Sequence, residues 1–324
     1  MQILIIKPSS LGDIICSLPV AQSIRDQMPE AVISWVVKSR FREIVQRCPT
    51  VNGEIIEFDH QNGLSGLRNL WKTLRLLRNR KFDAVLDFQG LLRSGLMVHA
   101  VQSPLKIGSP DSREGSRLPC DRIVSFPDGG KDTHAIERLL QFLPAIGLDA
   151  SLRSPVVIHG ESPDDIDERL SRTSPVVMIP NSRGSLKEWP GFPQLTTALL
   201  EQEPGVTVAW DSHLEWNDPP TAHADRFINL TTHTSLLQMV ELLRRARLVI
   251  ANDSGPLHIA AALGIPTLGL FGPTSPERFG PYPLTAPGNN ALSSPNEDIS
   301  RLPVDTVLST VRSILTHDSY SNVA

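Results

Sequence analysis

The chain has 324 residues, 40% hydrophobic and 20% charged, with a formal net charge of −4 at pH 7. That length exceeds what one core usually serves, so two domains of about 150 residues each are expected. The charge balance gives no basic excess for a nucleic-acid partner, and no apolar run approaches the roughly 18 residues that span a bilayer.

The start, MQILIIKPSSLGDII, carries only Lys7 and no small-residue cleavage site. It reads as a first strand rather than a signal peptide, and a cytoplasmic location is expected. Short β-branched runs then alternate with longer amphipathic ones, the pattern of parallel strands joined by helices. Strands are predicted at 2–6, 32–37, 54–58, 82–88 and 105–108, with helices near 11–27, 40–46, 65–80, 90–101 and 134–146. Residues 149–174 mix Ser, Pro, Gly and acidic residues around one short helical stretch, which suits a hinge. The plan then repeats, with strands at 175–179, 206–210, 226–229, 248–252 and 267–271 and helices near 192–201, 235–244, 256–263 and 304–315. The Pro-, Gly- and Ser-rich stretch 273–296 is predicted to be loop. This gives an α/β chain of two Rossmann-like domains, 1–155 and 175–324, with a linker at 156–174.

Charge is shared unevenly, with a basic excess in the first 150 residues and an acidic excess after them, so an anionic partner would prefer the first half. Cys16, Cys48 and Cys120 have neither metal-ligand nor redox spacing and read as reduced core thiols.

Ligands of open parallel sheets bind beyond the carboxyl ends of the strands, where helix N-termini converge. Four segments fall there: 7–13, 88–94, 180–189 and 253–258. The sharpest signal is ANDSGPLHIAAALGIPTLGLFGPT, residues 251–274, read as strand, tight loop, helix, strand and loop. Asp253, Ser254 and Gly255 at the start of its helix, with His258 in the first turn, suit a diphosphate and a ribose. An ordinary capped turn explains Ser254 and Pro256 but not His258. In PNSRGSLKEWPGF, Ser182, Ser185 and Lys187 can hold a phosphate, and Lys187 would neutralise charge building on a departing diphosphate; a solvated surface lysine is the plain alternative. KPSSLGDII turns from strand to helix without G-x-G-x-x-G, which argues against a nicotinamide enzyme. Asp13 falls in the first helical turn beside Gly12, where charge–dipole placement alone accounts for it and a base that orients an acceptor hydroxyl is the functional reading.

SSLGDII, LDFQGLLRS, THAIERLL, KEWP and NDSGPLHIAAALGIPTLGLFGPT, in this order and at these separations, resemble the bacterial ADP-heptose:lipopolysaccharide heptosyltransferases, glycosyltransferase family 9. The resemblance runs from Met1 to about Tyr282 and implies a GT-B architecture, two Rossmann-like doubly wound parallel-sheet domains facing across a cleft. It also implies an inverting transfer of heptose from ADP-heptose, or a related nucleotide sugar, to an acidic glycolipid linked to lipid A, with no metal or other cofactor. By motif, Asp13 would be the general base, with Ser10 and Gly12 beside the acceptor, and Lys187 would bind the diphosphate or sugar. Ser182, Asp253, Ser254, Gly255 and His258 would hold the donor, and Glu215 in WDSHLE resembles the glutamate on the adenosine ribose. The sequence departs from the family at Asp211, where glycine is usual, at Trp216 and Pro219–Pro220, and at Asn181–Ser182, where two threonines are common.

Arg93, Arg113 and Arg117 suit acceptor carboxylates and phosphates, or else Arg113 and Arg117 pair with Asp111 and Glu114. Residues 67–82 carry six basic and no acidic side chains interleaved with Leu70, Trp71, Leu74 and Leu77. A solvated basic face on a core-packed helix explains this, and contact with an anionic inner-membrane surface is the alternative. Rival functions are a transferase using another nucleotide sugar, a nucleotide-sugar epimerase on the same architecture, and a noncatalytic nucleotide-sugar-binding protein.

Overall fold

A computed structural model describes residues 1–59, 64–182, 184–217, 219 and 222–321. Pro220, one of the departures noted above, lies outside them. The chain forms two compact units, Met1–Ile158 and His159–Ala324.

The first unit runs β1 (Gln2–Ile6), α1 (Leu11–Gln27), β2 (Val32–Val37), α2 (Arg42–Gln46), β3 (Ile55–Glu57), α3 (Leu64–Arg78), β4 (Ala84–Asp87), α4 (Leu92–Ala100), β5 (Lys106–Gly108), β6 (Arg122–Ile123) and α5 (Ala135–Leu140). Its sheet has the order β3-β2-β1-β4-β5-β6, with every pairing parallel. The second runs β7 (Val176–Ile179), α6 (Phe192–Gln202), β8 (Val208–Trp210), β9 (Phe227–Asn229), α7 (Leu236–Arg245), β10 (Leu248–Asn252), α8 (Gly255–Ala262), β11 (Thr267–Phe271), α9 (Pro276–Phe279), β12 (Asn289–Ser293) and α10 (Val304–Ser321). Its order, β12-β11-β10-β7-β8-β9, is again wholly parallel. Read in chain order the two sheets are the same object: three strands laid outward, then three on the other side of the first. The direction reverses between β1 and β4, and again between β7 and β10, so each sheet opens a crevice there at its carboxyl edge.

Strands covered on both faces must be apolar throughout, and β4, β7, β10 and β11 are buried at every position. In the first unit Leu4, Ile6, Val36 and Val85 pack with Leu77 of α3 and Met97 of α4. In the second, Val176, Met178, Val208 and Ile250 pack with Phe192 and Leu195 of α6 and Val311 of α10. Each such side chain contributes about 1.5–3 kcal/mol on burial. Trp210 Nε1 donates to Thr196 Oγ1 at 2.9 Å, which satisfies its polar edge inside that core.

Several expectations need correction. Residues 273–296 are not all loop: α9 lies within them, and β12 pairs with β11 as the sheet's edge. The two-residue edge strand β6 was not anticipated, and the helix expected over 134–146 is α5 followed by a separate short turn at Pro144–Ile146. On α3 the core face is Leu70, Thr73, Leu74 and Leu77, whereas Trp71 is 63% exposed with the Arg75 guanidinium over its ring. Trp71 falls one position after Leu70, about 100° round the helix and off the core stripe.

Candidate active site

In the first unit the crevice beside β1 and β4 holds a cavity of about 210 Å³ lined by Lys7, Asp13, Gly90, Asp111, Arg113 and Arg138, among others. Ser10 is the N-cap of α1 and Asp13 its third residue. Asp13 Oδ2 accepts from Ser10 N–H at 2.9 Å and from Ser10 Oγ at 2.7 Å, so the carboxylate folds back over the helix start while its side chain stays half exposed. Lys7 leaves β1 buried; its Nζ donates to the Phe88 carbonyl at 3.0 Å and lies 3.8 Å from Asp13 Oδ1.

Asp87, to which no role was given from sequence, organises the opposite wall. It ends β4 fully buried, its Oδ1 accepting from Gln89 N–H and Gly90 N–H at 3.0 Å and its Oδ2 from Ser94 Oγ at 3.0 Å. Burial pushes its pKa up to about 6 against those hydrogen bonds and the nearby Lys7 charge. Gly90 takes φ +66°, and a Cβ there would meet Ser112 Oγ at 2.8 Å, so this turn requires glycine. Aspartate as the last residue of a buried strand, three before a glycine, is the signal that could have marked it.

The arginines separate. Arg113 lines the cavity, and its guanidinium has no ion-pair partner among the described residues. Asp111, expected to pair with Arg113 or Arg117, pairs instead with Arg138 of α5 at 2.6 Å, and Glu114 accepts from Leu92 N–H at 3.1 Å. Arg117 is exposed and donates to the Pro110 carbonyl. Arg93 is exposed near the start of α4 and lines a neighbouring cavity of about 200 Å³ with Lys38 and Leu91. Gly12 is half-buried in the first turn of α1.

The second unit has the equivalent crevice beside β7 and β10. Lys187 Nζ and Thr274 Oγ1 both donate to Asp253 Oδ2, at 2.6 and 2.9 Å, and Ser182 Oγ donates to the Asp253 carbonyl at 2.9 Å. The loop after β7 is stapled from both sides. Buried Asn252 accepts from Trp189 N–H at 3.1 Å and donates to the Pro180 carbonyl at 2.7 Å, while Glu188 Oε1 accepts from Ser182 N–H at 3.0 Å. Asn252 and Glu188 were missed from sequence because their work is internal to the loop.

Ser254 is the N-cap of α8, yet its hydroxyl makes no cap bond and is a buried oxygen without a hydrogen-bond partner. The capping explanation for Ser254 therefore does not hold in this chain, and the hydroxyl remains at a helix start that attracts anions. Gly255 begins α8 and His258 is half-buried in its fourth position. Ser185 is exposed beside Lys187. Glu215 lies exposed between β8 and β9 with no partner among the described residues. Asp211 is 2% exposed; Thr234 Oγ1 donates to its Oδ1 at 2.7 Å, its Oδ2 has no partner among the described residues, and burial raises its pKa to about 6. Among the described residues no group of three or more His, Cys, Asp or Glu is placed to hold a metal ion, and no helix is long and apolar enough to cross a membrane.

Comparison with known proteins bears on this pair of crevices. Residues 68–299 match the family model described as glycosyltransferase family 9 (heptosyltransferase). The chain is 30% identical over 297 residues to the lipopolysaccharide heptosyltransferase 1 of Pseudomonas aeruginosa, covering 87% of this chain and 81% of that one. It is 27% identical over 288 residues to the lipopolysaccharide core heptosyltransferase OpsX of Haemophilus influenzae, covering 86% and 81%. Its fold is shared with Escherichia coli heptosyltransferase WaaC solved with ADP, at 22% identity and a TM-score of 0.76 over 97% of this chain and 100% of that one. With two parallel six-stranded sheets and a family match over most of its length, this chain belongs to glycosyltransferase family 9, the heptosyltransferases, and is a transferase of the GT-B class.

Proposed function

We propose that this transferase moves a heptose from ADP-heptose to a hydroxyl of a lipid A-linked inner-core acceptor, with inversion at the anomeric carbon. The acceptor oxygen attacks the anomeric carbon as the bond from that carbon to the diphosphate breaks. The hydroxyl proton passes to Asp13, and the bonding electron pair leaves on ADP. Lys187 and the positive end of α8 offset the charge arriving there. Ser182, Asp253, Ser254, Gly255 and His258 hold the donor, with Glu215 on the adenosine ribose. Ser10 and Gly12 shape the approach to Asp13, and Arg93, Arg113 and Arg117 meet acceptor phosphates and carboxylates. No step in this scheme calls on a metal.

The observation that carries the reading is Asp13: a half-exposed carboxylate at the wall of a cavity whose other charged groups, Lys7, Arg113 and the Asp111–Arg138 pair, sum to a positive field. Such a cavity suits an anionic acceptor with a base at its edge. The names of the relatives support the lipopolysaccharide acceptor, and ADP in the WaaC structure supports the nucleotide. The exposed Leu67 and Trp71 of α3, beside Arg68, Lys72 and Arg75, make it the surface proposed to rest on an anionic membrane.

The test supplies ADP-heptose with a lipid A-linked inner-core acceptor and follows ADP release and acceptor mass. A gain of one heptose per ADP supports the assignment. Transfer from a different nucleotide sugar only, or an altered sugar with donor alone, overturns it.

A further inference from the structure

Lys7 is unusual among the charged groups of the first crevice, because it is held inside the protein rather than presented to solvent. Its residue exposure is 8%, its Nζ is fixed on the Phe88 carbonyl at 3.0 Å, and its nearest carboxylate oxygen is Asp13 Oδ1 at 3.8 Å. A lysine that only stabilised the fold would do better at the surface, since burying an ammonium costs more than a typical pairing returns. The sheet compensates that cost with a second carboxylate. Asp87 pairs with Ile6 in the β1–β4 register, one residue before Lys7, and is wholly buried. Asp87 is itself immobilised by two backbone N–H groups and Ser94 Oγ, and it feels the Lys7 charge when ionised, above a pH of about 6.

We propose that Lys7 is a positioning residue of the transfer reaction: fixed on the Phe88 carbonyl, it keeps the Asp13 carboxylate ionised and so sets the lower pH at which the enzyme works. The proposal rests on Asp13 being the base. An ammonium within 4–6 Å favours the charged form of a carboxylate by about 1–3 pH units, less where solvent reaches the pair. Asp13 is half exposed, so solvent weakens the effect. The other charged groups lining the cavity around Asp13 are Asp111 and Arg113, beyond β5, and Arg138 of α5. Asp111 and Arg138 pair at 2.6 Å and largely cancel, which leaves Lys7, 3.8 Å from Asp13 Oδ1, and Arg113 as the other cations of the lining. Cys16, three residues on from Asp13 in α1, lines the same wall.

Two measurements on the full chain test the idea. The first follows the Asp13 carboxyl carbon by 13C NMR across pH, assigned by its disappearance in Asp13→Asn. The midpoint is expected to rise by about one pH unit in Lys7→Met and to stay in place in Lys7→Arg. The second is the pH profile of kcat/KM, whose acidic limb should move by the same amount in Lys7→Met, with turnover recovered as pH is raised. A folded Lys7→Met protein with an unmoved Asp13 midpoint overturns the proposal. So does a loss of turnover that neither higher pH nor Lys7→Arg restores. Should Lys7→Met melt without cooperativity, Lys7→Gln takes its place in both measurements under the same criteria. If the NMR midpoint moves while the kinetic limb does not, or if Asp13→Asn turns over normally, it is the assignment of Asp13 as base that fails.

Discussion

Lys187 Nζ stands 2.6 Å from Asp253 Oδ2, an ion pair that joins the loop after β7 to the start of α8 across 66 residues of sequence. Asp253 is 9% exposed at its side chain and Lys187 31%, so the carboxylate is the fixed partner and the lysine the adjustable one. A carboxylate therefore occupies the lysine where the diphosphate of the donor is proposed to bind, and the donor must share or displace it. Lys187→Met is expected to lower turnover by about 100- to 1,000-fold, the usual cost of removing one group that meets charge developing in the transition state. Steady-state ADP release measures this, and turnover within a few-fold of wild type would remove Lys187 from the leaving-group role.

Asp13→Asn removes the proposed base without changing side-chain size. Turnover is expected to fall by about 100- to 10,000-fold. Calorimetric titration with ADP should be nearly unchanged, because every proposed nucleotide contact lies in the second unit. Loss of ADP binding in that variant would mean that Asp13 acts on folding rather than on chemistry.

Nucleotide choice is read by titrating ADP, UDP and GDP in parallel. ADP is expected to bind at least about tenfold more tightly than the other two, a difference of about 1.4 kcal/mol. Glu215→Ala should narrow that gap if the exposed glutamate closes on the ribose. Equal affinities for the three would set aside the adenine assignment while leaving the transferase class intact.

Asp211 offers a stability test independent of activity. Burial raises its pKa from 3.8 to about 6, so the folded chain holds this proton more tightly than the unfolded one. The stabilisation is complete below pH 3.8 and is lost as pH rises through about 6. Above pH 7 the charged, half-satisfied carboxylate is a liability of about 2–3 kcal/mol. Asp211→Asn should accordingly melt several degrees higher than wild type at pH 8 and show little difference near pH 4. A variant less stable at pH 8 would show that the charged form is needed.

Membrane contact through α3 is tested by sedimentation with vesicles. Binding to anionic vesicles is expected to exceed binding to neutral ones and to fall with salt, since each basic residue near such a surface contributes about 1 kcal/mol. Reversing Lys72 and Arg75 to glutamate should abolish the preference. Equal binding to both vesicle types would reject the contact.

Much of this architecture is legible in the residues because parallel strands must be apolar along their whole length. The predicted 2–6, 32–37, 248–252 and 267–271 coincide with β1, β2, β10 and β11. β6 and β12 were not foreseen because edge strands lack that constraint: Arg122–Ile123 is exposed, and Asn289–Ser293 sits within a Pro- and Gly-rich run and contains no β-branched residue. At the site, position after a strand end pointed to Asp13, Lys187 and Asp253. Their partners did not follow from the same logic. Whether Asp111 meets Arg113 or Arg138, and whether Lys187 faces solvent or Asp253, is decided by contacts between distant segments, on which local periodicity carries no information. The unused Ser254 hydroxyl is a further case, since its sequence position suits a cap and the backbone does not take it up.

The setting of the tryptophans carries an experimental consequence. Trp35, Trp189 and Trp210 are sealed from solvent and Trp216 is partly buried against the second core, which leaves Trp71 of α3, 63% exposed, as the most open indole. Iodide should therefore quench chiefly one red-shifted component of the intrinsic emission, that of Trp71. Immersion of α3 in acyl chains would shift that component to the blue and shield it, without any label and without altering the three interior fluorophores.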